Sequence, residues 1–146
     1  MSSLTLTKTF AHPKEKVFAA FATARALAQW IAPMDNMVAR VEVFQFAPGG
    51  RLRIFFDVAA ETHPLEGQFL RIEAHDALSF TWVWRSPAPH ADVESHVAVS
   101  LRDIATGTEL KLVHSRLDAP GMSDRHSAGW QGCFSRLATY LEDAIQ

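Results

Sequence analysis

A chain of 146 residues, 48% hydrophobic and 21% charged, is long enough for one domain with a sizeable core and is unlike disordered or fibrous proteins in composition. Its formal net charge of -2, from 14 basic and 16 acidic residues, argues against a nucleic-acid-binding surface. Ten Phe and four Trp stand against a single Tyr. Such apolar aromatic side chains either fill a core or line a pocket for a small molecule.

The first part of the chain predicts one strand followed by two short helices. Apolar residues alternate with threonines over residues 3–11, which is typical of a strand. Pro13 suits the first turn of a helix, where its missing N–H does no harm. Thr23 is a good cap for a second short helix that stops at Pro33.

The middle of the chain changes to a period of two, which predicts six further strands. Phe69 and Ile72 break the strict alternation of the third of these strands, which indicates a β-bulge. The last two strands form a hairpin closed near Thr106-Gly107. Because short turns connect consecutive strands, we expect an antiparallel sheet. The predicted strands span residues 38–46, 51–58, 66–74, 78–84, 93–101 and 108–115.

From Ser123 to the end the period returns to that of a helix, with Ser123 as a reasonable cap. Its apolar stripe consists of Trp130, Phe134, Leu137, Leu141 and Ile145. The order of elements predicts an α+β fold in which a curved antiparallel sheet of about seven strands wraps around one long C-terminal helix. The whole chain, residues 1–146, is one domain.

Two glycines in the first turns of this helix bear on whether a cavity exists. Gly129 and Gly132 each weaken the helix by roughly 1 kcal/mol relative to Ala, so we expect each of them to have a structural role that Ala would not fulfil. One interpretation is that they leave room for a pocket beside Trp130. The other is that they let a strand or loop approach the helix closely, and the sequence leaves both open.

Several short motifs are similar, in type and order, to those of a known family. They are Phe10-Ala11-His12-Pro13-Lys14-Glu15-Lys16-Val17-Phe18, Trp30-Ile31-Ala32-Pro33, Pro48-Gly49-Gly50, Gly67, Leu78-Ser79-Phe80-Thr81-Trp82, Gly107-Thr108-Glu109-Leu110-Lys111-Leu112-Val113-His114 and Gly129-Trp130. The chain resembles the START-like, helix-grip (SRPBCC) superfamily, within the branch named after the activator of the Hsp90 ATPase. The resemblance implies a helix-grip fold with a pocket between the C-terminal helix and the sheet. It implies no single activity, because the superfamily includes lipid carriers, polyketide cyclases and co-chaperone domains.

Common catalytic and metal-binding signatures are missing from the sequence. There is no G-x-S-x-G, no H-E-x-x-H, no P-loop and no G-x-G-x-x-G after a strand. The best pair of metal ligands, His96 and His114, should lie on opposite faces of the sheet because of strand alternation. Cys133 is the single cysteine and has no local cation to activate it, so we expect it to be buried and inert. We therefore expect no metal and no cofactor.

Three polar residues are candidates for contacts with a ligand. His114 should face the concave side of the sheet, where it would donate to a ligand carbonyl or act as an acid or base. The alternative is that it only hydrogen-bonds backbone or water. Arg53 and Asp57 would anchor a ligand if their face were concave. Their strand has a more uniformly apolar opposite face, which favours the interpretation of both as surface charges.

The candidate ligand-binding residues are mainly aromatic, and we expect Trp130 to lie at the pocket mouth. They are Trp30, Phe56, Trp82, Trp84, Val99, Leu112, His114, Trp130 and Phe134. For Phe134, core packing is the favoured interpretation. The two flexible methionines in Met34-Asp35-Asn36-Met37 would adapt to a ligand.

These observations favour a binding protein that holds a small apolar or aromatic molecule between the helix and the sheet. One alternative is a cyclase- or hydrolase-like enzyme that uses the same cavity, with His114 or Arg53 supplying polarity. The other is a protein-interaction module like an Hsp90 co-chaperone, linked to the stress response by the resemblance alone. No nucleic acid and no membrane insertion are expected, and a homodimer stays open. Residues 1–5 lack the pattern of a signal peptide, so we expect a cytoplasmic protein.

Overall fold

The computed structural model of the chain describes residues 3–143, which form seven strands and three helices. Ile145, the last member of the predicted helical stripe, lies outside the described residues. The elements are β1 (Ser3–Phe10), α1 (Lys14–Ala19), α2 (Ala24–Ala28), β2 (Met37–Phe44), β3 (Arg51–Val58), β4 (Glu61–Glu73), β5 (Ala77–Trp84), β6 (Glu94–Ile104), β7 (Gly107–Ser115) and α3 (Met122–Asp143).

The strands form one antiparallel sheet in the order β1-β7-β6-β5-β4-β3-β2. Strands β2 to β7 follow one another as neighbours, as short connections require. Only β1 is out of sequence order, since α1 and α2 carry the chain across so that β1 pairs with β7. The predicted α+β, helix-grip architecture is confirmed.

Local sequence signals explain most of the element boundaries. The Thr23 hydroxyl accepts a hydrogen bond from the Ala26 N–H at 3.1 Å, which confirms it as the cap of α2. Helix α3 begins at Met122, one residue before the predicted cap, so Ser123 lies in its first turn. Gly121 immediately before it has φ +77, the left-handed conformation that glycine adopts without strain.

Strand β4 differs most from its prediction, because it begins at Glu61 and not at residue 66. The sequence does not predict the first half of β4 because that half contains Pro64, and proline is rare in sheet interiors. The Pro64 carbonyl accepts from the Arg85 N–H at 2.8 Å, so the proline ring nitrogen faces β5 and leaves the β3 ladder intact. The predicted bulge is confirmed by a register shift between Phe69 and Arg71.

The stripe of α3 packs against the concave face of the sheet. Its buried residues are Met122, His126, Trp130, Cys133, Phe134, Leu137 and Leu141. Leu137 and Leu141, in the second half of the helix, are completely buried and belong to the same core cluster as Leu110 and Leu112 of β7. This half of the helix is therefore packed into the main core. Within residues 3–143, none of the helices is both long and apolar enough to cross a membrane.

Candidate functional site

A cavity of about 350 Å³ lies between the first half of α3, the sheet and two loops. This volume is at the lower end of the range for small-molecule sites, about 300–1,000 Å³. The loop after α2, strands β2 to β5, the loop after β5 and α3 all contribute. The seventeen lining residues are Ile31, Pro33, Met34, Met37, Phe56, Val58, His63, Trp82, Trp84, Ala88, Pro89, Arg125, His126, Ala128, Gly129, Trp130 and Cys133.

The floor of the cavity is a cluster of buried and half-buried aromatic rings. The Trp82 ring centroid lies 5.2 Å from that of Trp130 and 5.7 Å from that of Trp84. Phe56 adds a fourth ring, 5.2 Å from Trp84. These tilted and edge-to-face contacts are the favoured arrangements of aromatic pairs, so the rings support one another as a rigid wall.

The mouth is formed by exposed residues from three segments. They are Met34, Pro89, Arg125 and Ala128. The prediction that Trp130 lies at the mouth is wrong, because its side chain is only 3% exposed and forms part of the floor. The helix turns its apolar stripe toward the sheet, so Trp130 points inward and the neighbouring Ala128 stays at the surface.

His114 lies behind the floor and is held there by a chain of hydrogen bonds. The Trp130 indole N–H donates to His114 Nδ1 at 3.0 Å, so the neutral ring carries its proton on Nε2. That Nε2–H donates to the Ser95 hydroxyl at 2.8 Å, and the hydroxyl donates to the Trp82 carbonyl at 2.8 Å. Burial lowers the pKa of His114 to about 3, so the ring is neutral and both nitrogens are engaged.

His126 is a second buried imidazole, and it lines the cavity. The Trp84 indole N–H donates to His126 Nε2 at 3.0 Å, and His126 Nδ1–H donates to the Met122 carbonyl at 2.8 Å. Burial lowers the pKa of His126 as well. The indole N–H groups of Trp84 and Trp130 are thus engaged inside the protein, whereas the buried N–H of Trp82 has no hydrogen-bond partner among residues 3–143.

The structure brings four of the nine candidate residues to the cavity and leaves five away from it. Phe56, Trp82, Trp84 and Trp130 line the cavity. The five that do not are Trp30, Val99, Leu112, His114 and Phe134.

The five residues away from the cavity are all buried in the core. The Trp30 indole N–H donates to the Ala20 carbonyl at 2.9 Å, and its ring packs on Phe21. Val99 and Leu112 face each other across β6 and β7, where side chains fill the space under α3. Phe134 packs on Trp130 with ring centroids 6.0 Å apart, in agreement with the favoured core interpretation.

The two glycines of α3 have different structural roles. One matches the interpretation of space for a pocket, and the other matches that of a close approach by a loop. A Cβ on Gly129 would have no atom within 4 Å, and the residue lines the cavity. A Cβ on Gly132 would lie closer than 3.0 Å to the Pro33 carbonyl oxygen, a separation that real Cβ atoms essentially never show. Gly129 therefore leaves space for the cavity, and Gly132 permits the close approach of the loop after α2.

Several lining residues come from positions that the sequence reasoning had given other roles or passed over. Met34 and Met37 line the cavity, in line with the adaptable loop proposed for them. Cys133 also lines it, but its thiol donates to the Ile31 carbonyl at 2.8 Å, and burial raises its pKa to about 12. His126 was missed although it stands four residues before Trp130, on the same helical stripe.

The charged candidates lie on the outer face of the sheet. Arg53 pairs with Glu42 at 3.1 Å, and its guanidinium lies over the Phe55 ring. Asp57 accepts hydrogen bonds from Arg40 and from Thr62, and these bonds lower the pKa of Asp57 to about 2. Neither Arg53 nor Asp57 lines the cavity, as their alternation with apolar residues predicts.

The structure also places the two histidines of the weighed metal site on opposite faces of the sheet. His96 stands opposite Ser115 and His114 opposite Val97, on the paired strands β6 and β7. His96 is half-buried beside Glu94, whereas His114 is completely buried. Within the described part of the chain, no three His, Cys, Asp or Glu side chains are grouped as a metal site would require.

The family model described as activator of Hsp90 ATPase homolog 1-like protein matches residues 11–142. No curated protein matches the sequence. The fold is similar to that of protein CV1439 from Chromobacterium violaceum, with a TM-score of 0.84 and 22% identity over 95% of this chain and 96% of that one. It is also similar to the AHSA1 protein SPO3351 from Silicibacter pomeroyi, with a TM-score of 0.82 and 25% identity over 97% and 98% of the two chains. A third similar structure is DynU16, a protein in the dynemicin biosynthetic locus, with a TM-score of 0.77 and 24% identity; the match covers 97% of this chain and 48% of DynU16.

Proposed function

This chain belongs to the family of activator of Hsp90 ATPase homolog 1-like proteins, and we propose that it binds a small apolar or aromatic molecule in the cavity between α3 and the sheet. The observation that carries the proposal is the aromatic floor, in which Phe56, Trp82, Trp84 and Trp130 border empty space. A side chain in a well-packed core would fill such space, because voids larger than a water molecule are few in protein interiors. Gly129, which leaves part of it open, weakens the helix to do so.

The size and chemistry of the cavity set the expected affinity. A ligand that removes about 200 Å² of its apolar surface from contact with water gains about 5 kcal/mol of binding free energy. Immobilising the ligand offsets part of this gain, so dissociation constants of about 0.2 mM or weaker are expected for simple apolar probes. The indole N–H groups of Trp84 and Trp130 are already bonded to imidazoles, so shape and apolar contact are the main sources of binding.

The residues invoked by the enzyme alternative are not at the cavity. His114 is completely buried behind Trp130 with both nitrogens engaged, and Arg53 lies on the outer face. The co-chaperone alternative has no specific observation in its favour either. The exposed large apolar side chains of residues 3–143 are Met34, Val38 and Leu70, which lie in the loop after α2, in β2 and in β4. We therefore propose ligand binding as the single function.

The proposal is tested by filling the cavity from the helix. In the variant Gly129→Leu the new side chain starts where a Cβ meets no atom within 4 Å, so it grows into the space that the ligand needs. Gln131→Leu adds the same apolar side chain at an exposed position of α3 outside the lining, and serves as the matched control.

Isothermal titration calorimetry with naphthalene derivatives and medium-chain fatty alcohols measures the outcome. We expect roughly tenfold or more weaker binding for Gly129→Leu, since overpacking typically costs 1–3 kcal/mol, and near wild-type binding for Gln131→Leu. Equal binding by the wild type and both variants would place the ligand elsewhere. The absence of binding to the wild type across the whole panel would refute the proposal.

A further inference from the structure

One cavity-lining side chain carries a permanent charge. Of the seventeen lining residues, Arg125 is the single Lys, Arg, Asp or Glu. It stands at the mouth, on the first turns of α3, and its side chain is exposed. His63 and His126 also line the cavity, but His63 Nε2 is 2.7 Å from a Glu61 oxygen and His126 is held by two hydrogen bonds.

Arg125 also differs from most arginines of this protein in lacking a carboxylate partner. Six other arginines make ion pairs, namely Arg40, Arg53, Arg71, Arg85, Arg102 and Arg136. Among residues 3–143, no ion pair or side-chain hydrogen bond holds the Arg125 guanidinium. Its five N–H donors are therefore available to a group at the cavity mouth.

The location of this charge at the edge of an apolar cavity points to an amphipathic ligand. A planar guanidinium matches a carboxylate with two parallel hydrogen bonds, which no neutral group reproduces. The N-terminal end of α3 adds a partial positive charge of the same sign. A cationic ligand would meet repulsion from both, since no acidic residue lines the cavity.

We propose that the ligand is an organic acid whose apolar or aromatic body fills the cavity while its carboxylate binds Arg125 at the mouth. This inference rests on the proposed binding function and adds the chemical class of the ligand. The carboxylate stays in contact with water there, so it keeps its charge without being buried. The apolar body supplies most of the affinity, and Arg125 supplies orientation and preference for the acid.

The test compares probes of the same shape with and without the charge. 2-Naphthoic acid and 2-naphthamide form one pair, and dodecanoic acid and dodecanamide form the other. Titration calorimetry measures both pairs against the wild type, Arg125→Gln and Arg25→Gln. Arg25 is an exposed arginine on α2 that does not line the cavity, so Arg25→Gln controls for the loss of one positive charge.

We expect the wild type to bind each acid about three- to tenfold more tightly than its amide, the range for an exposed to partly desolvated charge-assisted pair. Arg125→Gln should lose this preference and keep its affinity for the amides, and Arg25→Gln should behave as the wild type. Equal affinity for acid and amide in the wild type, or a preference that survives in Arg125→Gln, would overturn the inference and leave the proposed function intact. Binding of neither pair would overturn both.

Discussion

Alanine substitutions at Gly129 and Gly132 should change the stability of this protein in opposite directions. Both positions are inside α3, where glycine weakens a helix by about 1 kcal/mol relative to alanine. At Gly129 the added methyl group meets no atom within 4 Å. Gly129→Ala should therefore raise the free energy of unfolding by about 1 kcal/mol.

At Gly132 the same methyl group meets the backbone of the loop after α2. It would lie within 3.0 Å of the Pro33 carbonyl oxygen and 3.2 Å from the Pro33 Cβ, and a backbone carbonyl cannot rotate away as a flexible side chain does. Moving this loop also strains the hydrogen bond from Cys133 to Ile31. Because the obstacle is backbone, the upper part of the usual overpacking cost applies, about 2–3 kcal/mol, and the helix propensity gain of about 1 kcal/mol offsets part of it. We therefore expect Gly132→Ala to lower the free energy of unfolding by about 1–2 kcal/mol.

Urea denaturation followed by far-UV circular dichroism measures both changes, and the wild type is the common reference. The two variants should differ by roughly 2–3 kcal/mol, with unchanged m-values. If Gly132→Ala were as stable as Gly129→Ala, the loop would yield without cost and the close approach would not explain this glycine. If Gly129→Ala were destabilised, the space beside it would not be empty.

Three further predictions concern the buried polar groups. In urea denaturation, Trp130→Phe should lower the free energy of unfolding by about 1–3 kcal/mol more than Trp82→Phe does, because only Trp130→Phe leaves the His114 imidazole without its hydrogen-bond donor. Equal losses of stability in the two variants would contradict these hydrogen-bond assignments. His114 alone should lower the free energy of unfolding by up to about 1.4 kcal/mol per pH unit as the pH drops from 6.5 toward 3, since its folded-state pKa is about 3 and the unfolded chain takes up the proton first. His114→Gln should therefore have a shallower slope than the wild type, and an unchanged slope would refute the assignment. Cys133 should react with Ellman's reagent at pH 8 only after unfolding, because burial raises its pKa to about 12; rapid labelling of the native protein would show that the thiol is accessible.

The sequence carried most of the information about the fold because its signals are local. Alternation places Leu52, Ile54 and Phe56 on one face of β3, and all three are buried. The Thr23 cap and the bulge beside Phe69 were also visible in the sequence. The start of β4 was not, since Pro64 reads as a strand breaker unless the position of its neighbour β5 is known.

The candidate site was only partly predictable for a different physical reason. Periodicity tells which face of an element points inward, and it correctly placed Trp82 and Trp130 together. It does not tell where along the helix axis the helix separates from the sheet, so Leu112 is predicted at the site although it is buried in the core. The mouth depends on two loops whose conformation no repeating pattern encodes, which is why Pro89 was missed. Arg125 is on α3, but its place at the mouth follows from where these loops lie.

The indole cluster on the cavity floor gives the protein an optical property of its own. Trp82 lies within 6 Å of both Trp84 and Trp130, close enough for the excited states of the three indoles to couple. Coupled indoles held at fixed angles produce a near-ultraviolet circular dichroism signal that vanishes when their mutual orientation is lost. A molecule that entered the cavity would touch these same rings, so the intrinsic spectrum of the native chain would report the proposed binding without any attached label.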